Sequence, residues 1–107
     1  MFRVEYCRSK SGRFPFEIWM DSVKDRGAFE AIAARLARVR SGNLGDHKSL
    51  GDGVFELRVF ARPGFRIYFG LPSPTVVMLL TGGIKHTQWQ DIRKAKALYA
   101  EYVESQN

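Results

Sequence analysis

The chain has 107 residues, 45% of them hydrophobic and 26% charged, the size and composition of one ordinary globular domain rather than a disordered segment. A single cysteine, Cys7, excludes an intrachain disulfide framework, and no apolar run approaches the ~20 residues of a membrane helix. Seventeen Lys and Arg against 11 Asp and Glu leave a net charge of +6, which favours a polyanionic partner, either nucleic acid or an acidic protein.

In chain order, Phe2-Arg3-Val4-Glu5-Tyr6 alternates and predicts a short first strand. Met1 to Lys10 holds no apolar stretch of the signal-peptide kind, so with the lone cysteine a cytoplasmic setting is expected. Pro15 suits the first turn of a helix running to about Val23, because its missing N–H has no partner there anyway. Phe16, Trp19 and Val23 form that helix's apolar stripe. A second helix, from about Asp25 or Gly27 to Arg40, carries Phe29, Ile32, Leu36 and Val39 on one face and Glu30, Arg35 and Arg38 on the other. Gly42 is its natural left-handed stop.

The stretch from Gly42 to Gly53 reads as a polar, glycine-rich loop, and strands follow at about 53–60, 64–71 and 75–82. Phe55, Leu57 and Val59 share one side of the first of these, and Phe65, Ile67 and Phe69 one side of the second. The opposite sides carry Glu56 and Arg58, then Arg66 and Tyr68. Val76 to Leu80 is continuously apolar and therefore predicts a central strand covered on both faces. Thr87 with Gln90 matches a capping box opening a C-terminal helix, whose buried stripe is Ile92, Ala95, Tyr99 and Tyr102. Trp19, Phe29 and Tyr99 are assigned to the core. The order β-α-α-β-β-β-α predicts a compact single-domain α+β fold with a mainly antiparallel sheet.

Five segments in this order resemble a known family: Pro15-Phe16-Glu17-x-Trp19, Gly42-Asn43-x-Gly45-Asp46-x-Lys48, Val54-Phe55-Glu56-Leu57-Arg58, Gly64-Phe65-Arg66-Ile67-Tyr68-Phe69, and Leu79-Leu80-x-Gly82-Gly83-x-Lys85-x-x-Gln88-x-x-Asp91-Ile92-x-x-Ala95. Together, across about Tyr6 to Tyr102, they look like the RelE/ParE toxin superfamily, and within it the HigB-like branch of phage-derived Gp49-like or addiction-module-killer proteins. Each motif alone is weak; their order and spacing carry the resemblance. It implies a RelE-like fold and the toxin of a type II toxin–antitoxin pair. RelE-like and HigB-like members cut mRNA, usually at the ribosomal A site, whereas ParE members share the fold and poison DNA gyrase.

Metal-independent RNA cleavage needs a base for the 2′-hydroxyl, a charge that stabilises the phosphorane and an acid for the leaving 5′-oxygen. It leaves a 2′,3′-cyclic phosphate and a 5′-hydroxyl. No metal or cofactor is expected, since His47 and His86 lack ligand spacing and Cys7 has no neighbouring partner. Arg66 is the first catalytic candidate: its forked donors suit a phosphorane oxygen, and RelE-like nucleases resemble one another most at an arginine after Gly-aromatic. An ion pair with Glu56 is the plainer alternative for Arg66. Arg58 stands where the resemblance places a catalytic lysine; it can hold phosphate but donates protons poorly. Lys85 follows Gly82-Gly83 where the family places a basic catalytic residue, and His86 beside it offers an imidazole for acid–base work, where this branch more often has a small polar residue. His47 falls in a loop comparable to one that holds a functional histidine in HigB-type nucleases. Lys48 joins it as an RNA-binding candidate, with Tyr68 as a base-stacking surface or a residue covered by the last helix, and Gln88 as an orienting amide. Glu56 is kept as a structural pair, because a carboxylate held by arginines is a poor proton acceptor.

The resemblance further implies a cognate antitoxin, an acidic segment or a helix-turn-helix protein, with operator DNA reached through it. The other partners are mRNA and the ribosome, and no membrane. Two alternatives stay open: a ParE-like inhibitor of gyrase, and a decayed toxin serving as an antitoxin-binding module. Ile84, where the branch usually carries Asp or a similar polar residue, leaves room for the second.

Overall fold

Alternating strands with apolar side chains on both faces need cover on both sides, and the computed structural model, which describes residues 1–106, supplies it from three helices. The elements are β1 (Arg3–Tyr6), α1 (Pro15–Asp21), α2 (Arg26–Arg40), β2 (His47–Gly51), β3 (Val54–Val59), β4 (Phe65–Ser73), β5 (Val76–Ile84), a 3-10 turn at Lys85–Thr87, and α3 (Gln88–Ser105). The sheet has five strands in the order β1-β5-β4-β3-β2. β1 runs parallel to β5, and the β2–β3, β3–β4 and β4–β5 pairs are antiparallel. The architecture is thus a single-domain α+β fold with a mainly antiparallel sheet.

One face of the sheet packs against α1 and α2. Phe16, Ile32, Leu36 and Val39 meet Leu57, Ile67, Phe69, Val77 and Leu79 in one buried cluster. The other face packs against α3, where Ala95, Leu98 and Tyr99 cover Val54, Tyr68, Met78 and Leu80. Val76 to Leu80 is buried throughout, as its continuous apolarity predicts. Gly70 lets α3 lie close: a Cβ there would run into the Tyr99 ring.

Local chemistry sets the helix ends. Pro15 opens α1, and the Asp25 carboxylate accepts the Ala28 N–H to cap α2. Gly42, at φ +103, turns the chain out of α2, where its N–H donates to Val39 O at 2.9 Å.

Four expectations are corrected. His47–Gly51 is a strand, not loop; it pairs along β3 at the sheet edge, so the strand count rises to five. Its sequence lacks apolar alternation because it buries almost nothing. Phe29 is 41% exposed and lies outside the core. Arg35, expected on the solvated face of α2, is buried. Thr87 does not close a capping box: its hydroxyl donates to the Asp91 carboxylate at 2.5 Å and to Ile84 O at 3.3 Å. That pair pins the 3-10 turn to the first turn of α3.

Candidate functional site

The α3-facing sides of β3 and β4 place charged residues in direct register. Arg58 stands opposite Arg66, and Glu56 opposite Tyr68. Two guanidiniums facing each other repel, and the side chain that offsets this is Glu56, which is fully buried. Its Oε1 lies 3.5 Å from Arg66 Nε and its Oε2 3.5 Å from Arg58 Nε. The Gln88 amide, reaching down from α3, donates to Oε1 at 2.9 Å. A charge with no exposure is tolerated only with such partners. Glu56 is therefore an anchor for the arginines, in agreement with its reading as a structural pair.

Arg66 is largely enclosed, its side chain 13% exposed, whereas that of Arg58 is 40% exposed and extends toward Asp46 Oδ2 at 3.9 Å. The turn after β5 brings in Lys85, whose backbone N–H donates to Gly64 O at 3.0 Å. A methyl group placed on Gly64 would sit 3.9 Å from both Arg66 Nη1 and Lys85 Cβ, so these side chains flank the same bare backbone. Lys85 and His86 are both exposed. Arg58, Arg66 and Lys85 with the neighbouring His86 thus form one cationic patch at the end of the sheet. Gly83, opposite Arg66 in register, has no room for a Cβ because the Asp91 carboxylate covers it, so the arginine runs beneath the start of α3.

Not every expected residue reaches this patch. Tyr68 is fully buried beneath α3 and offers no surface to a base; burial raises its hydroxyl well above the ordinary range, with Glu56 and Asp91 adding to the effect. Gln88 is committed to Glu56 rather than to a ligand. His47 pairs with Leu57 and lies 6.5 Å, centroid to centroid, from Phe55, on the sheet face that α1 and α2 cover. Arg58 and Arg66 point to the opposite face, so the register separates His47 from them. Its Nδ1 donates to Gly45 O at 2.9 Å, since a carbonyl only accepts. Lys48, opposite Glu56, does share the arginine face, exposed at the sheet edge.

Three further residues stand out in the structure. Arg35, 4% exposed, donates to the carbonyls of Leu44 at 2.5 Å, Asp46 at 3.1 Å and Arg58 at 3.1 Å, tying the segment before β2 to the end of β3. Burial lowers its pKa, with Arg38 adding to the effect and Asp46 opposing it. Phe60 and Trp89 are each 82% exposed. Phe60 was legible, since it alternates in phase with Glu56 and Arg58; Trp89 was not, because its spacing from Ile92 suits the buried stripe.

Among the described residues, no group of three or more His, Cys, Asp and Glu side chains could hold a metal ion, and no helix is long and apolar enough to cross a membrane. No family model matches the chain. It is 43% identical over 86 residues to a Haemophilus influenzae protein described as uncharacterized, a match covering 80% of this chain and 87% of that relative. The chain belongs to the same protein family as this Haemophilus protein.

Proposed function

We propose that this chain is a RelE-like toxin of the HigB-like branch that cleaves mRNA, working on the ribosome and held silent by a cognate antitoxin of helix-turn-helix type. The observation that carries the reading is the cationic patch: Arg58 and Arg66, each 3.5 Å from a fully buried Glu56, with Lys85 beside Arg66 across Gly64. Fixed donors aimed at one point stabilise developing charge without reorganising, the usual largest contribution to such catalysis.

Within this reading Arg66 and Lys85 hold the scissile phosphate, and Arg58 meets a flanking phosphate from its more open position. Arginine neither gives nor takes a proton near neutral pH. The proton therefore passes through His86, the imidazole next to Lys85. His47, on the other face, takes no part in the step. The 2′-oxygen attacks phosphorus, the bond to the 5′-oxygen breaks, and the products are a 2′,3′-cyclic phosphate and a 5′-hydroxyl.

The test is addition of purified chain to a translating extract, with analysis of the RNA ends. Cyclic-phosphate ends that fall about a hundred-fold with Lys85→Ala support the reading. Intact mRNA together with inhibited plasmid relaxation by gyrase would replace it with the ParE-like alternative.

A further inference from the structure

Beside the cationic patch, three shallow depressions adjoin along one rim. The first is lined by Phe60, Arg62 and Pro63, the second by Pro63, Lys85 and His86, and the third by His86 and Trp89. Shared Pro63 and His86 join them into one trough, with Gly64, the residue flanked by Arg66 and Lys85, in its wall. Its two ends carry Phe60 and Trp89, each 82% exposed. No acidic side chain lines any of the three depressions.

Two bare aromatic rings at the ends of a cationic, acid-free trough call for a ligand with both planar apolar faces and repeated negative charge. Single-stranded RNA has both. Its phosphates meet Arg62 and Lys85, with Arg66 behind the bare backbone of Gly64, and unpaired bases stack on the rings, a contact of roughly 1–3 kcal/mol per base. A duplex hides its base faces, and an acidic peptide answers the cations while leaving the rings in water. We propose that this trough is the track for single-stranded RNA, with bases seated on Phe60 and Trp89 on either side of the phosphate at Arg66 and Lys85. The proposal rests on the nuclease reading for its ligand, but binding is measurable without cleavage.

The experiment is fluorescence anisotropy of a labelled 2′-O-methyl oligouridine, which binds but lacks the free 2′-hydroxyl needed for cutting. Phe60→Ala, Trp89→Ala and Trp89→Phe are compared with the parent chain, with circular dichroism confirming the fold. Each alanine variant is expected to bind at least about five-fold more weakly, Trp89→Phe to bind close to the parent, and the slope of affinity against salt to stay unchanged. A matched duplex is expected to bind more weakly and to ignore both rings. Parent-like affinity in both alanine variants overturns the proposal, as does no binding by the parent, or polyglutamate binding with the same dependence on Trp89. Ring-dependent binding without cleavage of an ordinary RNA leaves the track standing and removes the nuclease.

Discussion

Arg58 and Arg66 face each other across the β3–β4 ladder, and one carboxylate, that of Glu56, lies 3.5 Å from the Nε of each. Two like charges in direct register destabilise a sheet, so the pair exists because Glu56 is fixed beneath it, held in turn by Gln88. Removing Glu56 leaves two guanidiniums opposed and one largely enclosed. Glu56→Ala is expected to cost about 3–5 kcal/mol in urea unfolding, and Glu56→Gln, which keeps the shape but not the charge, most of that. A loss below about 1 kcal/mol in both would show that the arginines do not depend on it.

Arg35 performs a parallel task with backbone oxygens. Arg35→Met keeps the apolar stem but leaves the carbonyls of Leu44 and Arg58 without the side-chain donor and takes from Asp46 O one of its two donors. The expected cost is about 2 kcal/mol, at roughly 1 kcal/mol or more for each of the two stranded groups. Hydrogen exchange should quicken at the Arg58 amide, which bonds Asp46 O at 3.2 Å, and stay unchanged in β5.

Close packing of α3 on the sheet depends on Gly70. Gly70→Ala drives a methyl into the Tyr99 ring, and about 1–3 kcal/mol of stability is expected to be lost. Gly27, whose Cβ would meet nothing nearer than an Asp25 carboxylate oxygen at 4.0 Å, is the control: Gly27→Ala in α2 should be neutral or slightly stabilising.

Burial, with a smaller contribution from Glu101, raises the Cys7 thiol from 9.0 to about 11. The folded state therefore favours the protonated thiol. Its contribution is complete below pH 9 and is lost as pH climbs toward 11. Native protein should resist a thiol reagent at pH 8 and react once denatured. Cys7→Ser should lose less stability than the parent between pH 9 and 11.

Strands with one strong face were legible from residue types alone. Leu57, Ile67 and Phe69 alternate with Glu56, Arg66 and Tyr68, and the structure buries the first set as a stripe. Period-2 spacing tells which residues share a face; it does not tell what covers the other face. Hence Tyr68, placed beside Arg66 with a stacking surface and cover by the last helix both left open, lies under α3. His47 shows the same limit from the other side: its neighbours in sequence said nothing of the register that pairs it with Leu57 and turns it from the arginines. Arg35 was misread because helical spacing treats charge as solvated, while a long side chain can reach backbone carbonyls from a buried position.

The cationic patch is tested most directly by mapping RNA 5′ ends in cells induced to express the parent chain, Lys85→Ala or Arg66→Lys. Lys85 is exposed, and lysine at position 66 keeps the charge beside Glu56 while losing the fork. New 5′-hydroxyl ends within reading frames are expected with the parent and at least ten-fold fewer with either variant. Growth arrest without new ends, or ends undiminished in both variants, would contradict the assignment of this patch as an RNA-cleaving site.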